Sequence, residues 1–203
     1  MRNKPSSLLI LILVHLYPIA GVLLMGWDVF PIMFLFWSEN VIIGFYNVLR
    51  LLTCRPKEKI GWFARIFTII FFIVHYGGFT IGHAFFVIAL FARHILVDAP
   101  GPKLEVLMQT LWQYKLPYAM LALFISHGYS FFVNYLGKGE YRRYNVGTLM
   151  KLPYTRVILL HITLMLGGGL MLVLHSPMVG LFLLILLKIG MDIRAHTKEH
   201  KNT

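Results

Sequence analysis

Residues 31–52 read PIMFLFWSENVIIGFYNVLRLL, an apolar stretch with one carboxylate, Glu39, well inside it. A bilayer crossing by a helix takes ~20 such residues, so this segment predicts a transmembrane helix. A carboxylate at that depth costs ~2.5–3.5 kcal/mol or more to insert, and such groups turn toward the bundle interior and find a partner. The fold and the candidate chemistry both follow from asking what surrounds this segment.

The rest of the chain repeats its character. Of 203 residues, 58% are hydrophobic and 13% charged, which excludes an ordinary soluble domain. Further apolar stretches place spans at about 8–26, 66–91, 117–136, 156–174 and 177–193. The expectation is an all-α, polytopic membrane helical bundle with six transmembrane helices, forming one domain over residues 1–203. Residues 104–112 add a helix of their own. Leu104, Leu107, Met108, Leu111 and Trp112 recur at helical spacing, with Glu105, Gln109 and Gln113 opposite. That pattern predicts an amphipathic helix in the outer interface.

The net charge of +11 is explained by orientation rather than by nucleic acid. With these spans, 16 of the 19 Lys and Arg fall on one side, Arg156 among them. Arg93, Lys103 and Lys115 fall on the other. By the positive-inside rule both termini are cytoplasmic. The partner this predicts is the lipid bilayer, with anionic head groups at the inner face, and no nucleic acid. A homo-oligomer or a membrane-protein partner stays open. Arg2 and Lys4 before an apolar run resemble a signal peptide, but no small-residue cleavage motif follows, so a retained first helix is expected. The single cysteine, Cys54, leaves no internal disulfide and no multi-cysteine metal site.

Polar residues inside the spans fall in helical stripes. Asn40, Gly44 and Asn47 share one face. So do Tyr76, Thr80 and His83, with His75, Phe79 and Gly82 on the adjacent face. His127, Ser130 and Asn134 repeat on the fourth span, and His161, Gly168 and His175 on the fifth. Lys188, Asp192 and His196 repeat at the end of the sixth. At ~1.5 Å per residue, Glu39, His83, His127 and His15 fall near mid-membrane. His75, His161, Asp192, His196, Asn47 and Asn134 fall nearer the inner face. Imidazole and carboxylate on facing helices are the donor set of zinc and non-haem iron sites. Paired histidines alone would suit haem. The candidate ligands are therefore Glu39, His75, His83, His127, His161, Asp192 and His196, supported by Asn40, Asn47 and Asn134. A metal-dependent enzyme, hydrolase or oxidoreductase, acting on a lipid or other apolar substrate is the leading expectation. The alternatives are a haem-binding electron-transfer module and a non-catalytic subunit or proton-linked transporter, in which the same histidines join helices or relay protons. Gly77-Gly78 and Gly167-Gly168-Gly169 are expected to permit close helix packing, or else an opening beside a ligand.

Several motifs together resemble a bacterial family of small multi-pass membrane proteins of unknown function. They are Phe36-Trp37-Ser38-Glu39-Asn40 with Gly44 and Asn47, His75-Tyr76-Gly77-Gly78, Ser126-His127-Gly128, and Asp192-x-x-Ala195-His196-x-x-Glu199-His200. The resemblance covers nearly the whole chain and implies the membrane architecture but no activity. Glu39-Asn40, Ser126-His127, Asp192 and His196-x-x-x-His200 also resemble, more loosely, the zinc-dependent membrane hydrolases related to alkaline ceramidase and adiponectin receptors. Here the Asp stands beside the terminal His pair. Six spans and a late Ala-His are similar to rhomboid proteases, whose Gly-x-Ser-x-Gly-like nucleophile segment this chain lacks.

Overall fold

A computed structural model describes residues 28–55 and 61–167, with the isolated helical positions Val173, Phe182 and Leu186. Among the described residues every regular element is helical. The elements are α1 (Val29–Thr53), α2 (Trp62–Phe91), α3 (Arg93–Leu96), α4 (Lys103–Gln113), α5 (Leu116–Tyr129), α6 (Val146–Lys151) and α7 (Tyr154–Ile162). Four of the described helical stretches are long and apolar enough to cross a membrane: Val29–Thr53, Trp62–Phe91, Leu116–Gly137 and Val146–Leu166. The predicted spans 8–26 and 177–193 lie outside the described residues, as do His15, His175, Asp192, His196 and His200. One compact unit runs from Met33 to Ile158, and a second joins Met1–Ile32 with Leu159–Thr203.

Local chemistry sets the helix ends. Asp28 Oδ1 accepts the Phe30 amide at 2.8 Å, satisfying one of the orphan donors of the first turn of α1. Pro31 sits in that turn, where its missing N–H costs nothing. Between α4 and α5, Lys115 adopts φ +54°, and Pro117 follows in the first turn of α5. Asn145 Oδ1 caps α6 by accepting the Thr148 amide at 2.7 Å. Past Tyr129, α5 widens into a π-helix over Ser130–Gly137, and α7 does the same over Thr163–Gly167.

The predicted amphipathic helix forms, at Lys103–Gln113. Leu104, Met108 and Trp112 are exposed one turn apart while Thr110 is buried, so the apolar stripe faces away from the protein. The fifth span differs from expectation. The expected loop 137–155 is helical from Val146, and Arg156 lies ten residues inside the Val146–Leu166 stretch rather than at its start. Lys151 and Pro153 read as a boundary in sequence. In the fold, Pro153 is a break between α6 and α7, where its lack of an amide is tolerated.

Within the Met33–Ile158 unit the core is Ile42, Tyr46, Leu51, Ile69, Phe72, Tyr76, Phe131, Tyr135, Leu149 and Val157 with their neighbours. Side-chain donors reach across to backbone carbonyls of other helices. Trp37 Nε1 donates to the Thr80 carbonyl at 2.8 Å and Tyr76 O–H to that of Asn40 at 2.8 Å. Tyr46 O–H donates to Phe124 at 3.0 Å, Asn47 Nδ2 to Leu149 at 3.0 Å, and Tyr135 O–H to Arg50 at 2.9 Å. A carbonyl has a second lone pair after its helical bond, so these donors are satisfied in lipid without breaking either helix.

Close approach occurs at Gly44, where a Cβ would stand 2.5 Å from Tyr76 Cε1. The expected packing at Gly77-Gly78 is not found: a Cβ at either meets no described atom within 4 Å. Instead Gly77 lines an apolar groove of about 310 Å³ with Trp37, Phe45, Phe72 and Tyr76. Gly44→Ala should destabilise the protein by about 1–3 kcal/mol, the usual cost of overpacking, because Tyr76 is held by its bond to Asn40. Gly78→Ala should leave thermal stability in detergent unchanged or slightly raised. Equal effects of the two substitutions would contradict the packing described.

Candidate functional site

The inward face of α2 carries Tyr76, Thr80 and His83, all buried, at helical spacing. On α1, Asn40, Gly44 and Asn47 are buried on one face, and Ser38 is buried on another. The two stripes match the periodicity of the sequence, and they leave Val74, Ile81 and Phe85 of α2 exposed for lipid.

Glu39 is the centre of the site. Arg156 donates from Nη1 to Glu39 Oε1 at 2.7 Å, a charge-assisted bond of the strong class. His127 Nε2 stands 3.7 Å from the same oxygen. One carboxylate oxygen is thus shared between a permanent cation and a titratable ring. The three come from α1, α5 and α7 and lie at one depth. Glu39 is ten residues past the start of α1 and His127 eleven past the start of α5. At the α-helical rise this puts each ~15–16 Å from the start of its helix. Arg156 is ten residues from either end of its stretch, so it too is near the middle of a helical stretch long and apolar enough to cross a membrane. Side-chain exposure rises from 18% at Glu39 to 27% at His127 and 46% at Arg156. The carboxylate is enclosed, and the guanidinium keeps free N–H donors on an open side.

The Tyr46 ring lies against His127, with centroids 6.4 Å apart and nearly parallel. Its hydroxyl is fixed on the Phe124 carbonyl. The π-helical turns begin at Ser130, one turn beyond His127. Such segments recur at functional sites.

The other predicted residues are placed as follows. His75 is exposed on α2, its Nδ1 at 2.8 Å from the Tyr154 hydroxyl, and it stacks on Phe71 at 5.0 Å. His83 is buried beside Phe79. His161 is exposed on α7. Asn40 Nδ2 donates within its own helix to Phe36 at 2.9 Å, and Asn134 Nδ2 lies 3.5 Å from Ser130 Oγ. Asp192 and His196 are outside the described residues. Among the described residues no three of His, Cys, Asp and Glu are grouped as metal ligands would be.

Arg156 is the residue that the sequence reading missed, having counted it with the inner-face charges. A signal was present. Val146, Leu149, Pro153, Val157 and Leu160 follow one another at three- and four-residue steps and are all buried, so the helical period runs straight through the apparent boundary.

Arg156 is half exposed and Glu39 keeps His127 beside it. Arg156→Gln should therefore destabilise the protein by about 1–3 kcal/mol, the range for a lost charge-assisted hydrogen bond. Glu39→Gln/Arg156→Gln should recover most of that loss, with melting temperature in detergent as the measurement. Additive losses in the double variant would show that the pair is not coupled.

No curated protein and no solved structure matches the chain. A family model described as a family of unknown function (DUF6498) matches residues 2–203. The chain belongs to that family of unknown function.

Proposed function

We propose that this is an integral membrane protein that handles protons at the Glu39–Arg156–His127 cluster, as a proton-linked carrier of small solutes. One observation carries this reading: His127 Nε2 and Arg156 Nη1 approach the same oxygen of Glu39, at 3.7 and 2.7 Å. With His127 neutral the cluster has no net charge, and with His127 protonated it carries one positive charge. In a low-dielectric interior that change has a large effect on how groups pack, and intramembrane carboxylate–histidine sets are characteristic of proton pathways. The half-exposed Arg156 offers its remaining donors to a solute with acceptor oxygens.

A metal centre is the second reading, because the Glu39–His127 approach brings together two of the expected ligands. Zinc or iron at Glu39 Oε1 would have to displace the guanidinium, since a cation and Arg156 compete for that oxygen. A haem held by paired histidines makes no demand on Glu39. Two measurements on the purified protein separate these readings. A rapid pH jump on proteoliposomes at a capacitive electrode should produce a transient charge displacement in the wild type, abolished in Glu39→Gln and His127→Gln. A silent wild type would sink the proton reading. Stoichiometric zinc or iron lost in Glu39→Ala and His127→Ala, or a Soret band, would replace it with a metal or haem centre.

The topology belongs to the same proposal: six spans, both termini cytoplasmic, in a bacterial inner membrane. With Arg156 inside a span, 15 of the remaining 18 Lys and Arg still fall on the inner side, so the positive-inside argument survives. Periplasm-active reporters should be active when fused after residue 100 and inactive when fused after residue 139 or at the C-terminus. The reverse pattern would invert the orientation.

A further inference from the structure

The inner ends of α1, α2 and α5 enclose a second feature, away from the Glu39 cluster. A cavity of about 620 Å³ is lined by Leu52, Thr53, Cys54, Arg55, Arg65, Leu136 and Tyr141. Its walls are fixed. The Arg55 amide donates to the Tyr141 carbonyl at 2.8 Å, and the Tyr135 hydroxyl ties α5 to the last turn of α1 at Arg50. The Tyr141 hydroxyl accepts from Arg142 Nε at 3.0 Å.

The charge is one-sided. Arg55 and Arg65 line the cavity, Arg50 lies over the Tyr135 ring at 5.3 Å, and the buried Arg50 Nε has no hydrogen-bond partner among the described residues. Lys138, Arg142 and Arg143 follow at the same end, against one described carboxylate, Glu140. Neither Arg55 nor Arg65 is ion-paired among the described residues. Burial pushes the Cys54 thiol above its ordinary range, against a smaller opposing pull from Arg65, so this wall stays neutral and offers an anion no repulsion.

The surroundings are those of a bilayer interface. Trp62 and Phe63, at the start of α2, are exposed, as aromatic anchors at head-group level are. Leu52 is exposed and lines the cavity together with Leu136. A ligand here meets guanidinium groups and aliphatic surface at once.

We infer that this cavity is a binding site for the phosphate of an anionic phospholipid, with Arg55 and Arg65 holding the head group and Leu52 and Leu136 contacting the start of an acyl chain. Guanidinium forks match phosphate oxygens geometrically, and basic pockets between transmembrane helices are suited to anionic head groups. A free phosphate would share the arginines but not the aliphatic contact. The site is independent of what the Glu39 cluster does.

The test compares lipids on the intact protein. Native mass spectrometry after exchange into mixed micelles should show phosphatidylglycerol retained in preference to phosphatidylcholine by the wild type. That preference should fall about fivefold for each arginine removed, in Arg55→Gln and Arg65→Gln, and remain in Lys138→Gln, which alters charge at the same end outside the cavity. Equal retention of the two lipids by the wild type would overturn the site. So would a preference unchanged in Arg55→Gln/Arg65→Gln. A rise in melting temperature with millimolar inorganic phosphate equal to that with phosphatidylglycerol would make it a free-phosphate site and overturn the lipid assignment. Destabilisation of the double variant by the same amount in both lipids would show that the arginines serve an internal pair, and would also overturn it.

Discussion

A carboxylate in the middle of an apolar helix has to be neutralised, and most of this architecture is consistent with that single demand. Glu39 meets it through Arg156 at 2.7 Å. The pair fixes α7 against α1 at one register, since a shift of one residue on either helix rotates the side chain by ~100° and removes the contact. His127, from α5, closes on the same oxygen, so three helices are positioned by one group. The contact between Asn47 and Leu149 repeats the α1 register about two turns further along that helix. Charge and amide therefore select the same alignment, although neither is close to the other.

Apolar burial cannot do this alone. Lipid chains are as apolar as leucine, so the helices gain little by exchanging lipid for each other, and packing and polar contacts decide the arrangement. That is why the interhelical bonds here run from Trp, Tyr and Asn side chains to main-chain carbonyls. It is also why Gly44 matters more than Gly77 and Gly78. The first lets the Tyr76 ring reach the α1 backbone, whereas Gly77 borders an open groove and a Cβ at Gly78 meets no described atom within 4 Å.

The buried faces of α1 and α2 and the outer amphipathic helix were legible in the sequence because each is a periodic pattern, and a period survives any detail of packing. The Glu39–His127 approach was legible as well, through equal depth. Arg156 was hidden for a physical reason. A lone arginine three residues after a proline looks like a helix start near the head groups, and only its partner on another helix makes mid-membrane placement affordable. Linear sequence does not display that partner. His75 shows what periodicity leaves undetermined. Its spacing suggested an inner-face ligand, but it lies outside the buried stripe, hydrogen-bonded to Tyr154 and stacked on Phe71. A period marks a face, and adjacent faces of a helix differ by one residue.

The arginines show how the same side chain takes two roles according to what lies within reach. Arg156 is surrounded by span, and its charge is cancelled inside the protein by a carboxylate on another helix. Arg55 and Arg65 sit at the end of the bundle with no described carboxylate to pair with, beside exposed aromatic and aliphatic side chains. A guanidinium cannot shed its charge, so in the first place the protein supplies the anion and in the second the surroundings must. Histidine differs from both, because it can give up its charge. At Glu39 the protein has set a fixed cation and an adjustable one on the same oxygen. The arginine holds the helices together, and the ring is a second group on an oxygen that already has a partner. Joining helices does not require that second group, and the proposed proton role rests on its presence.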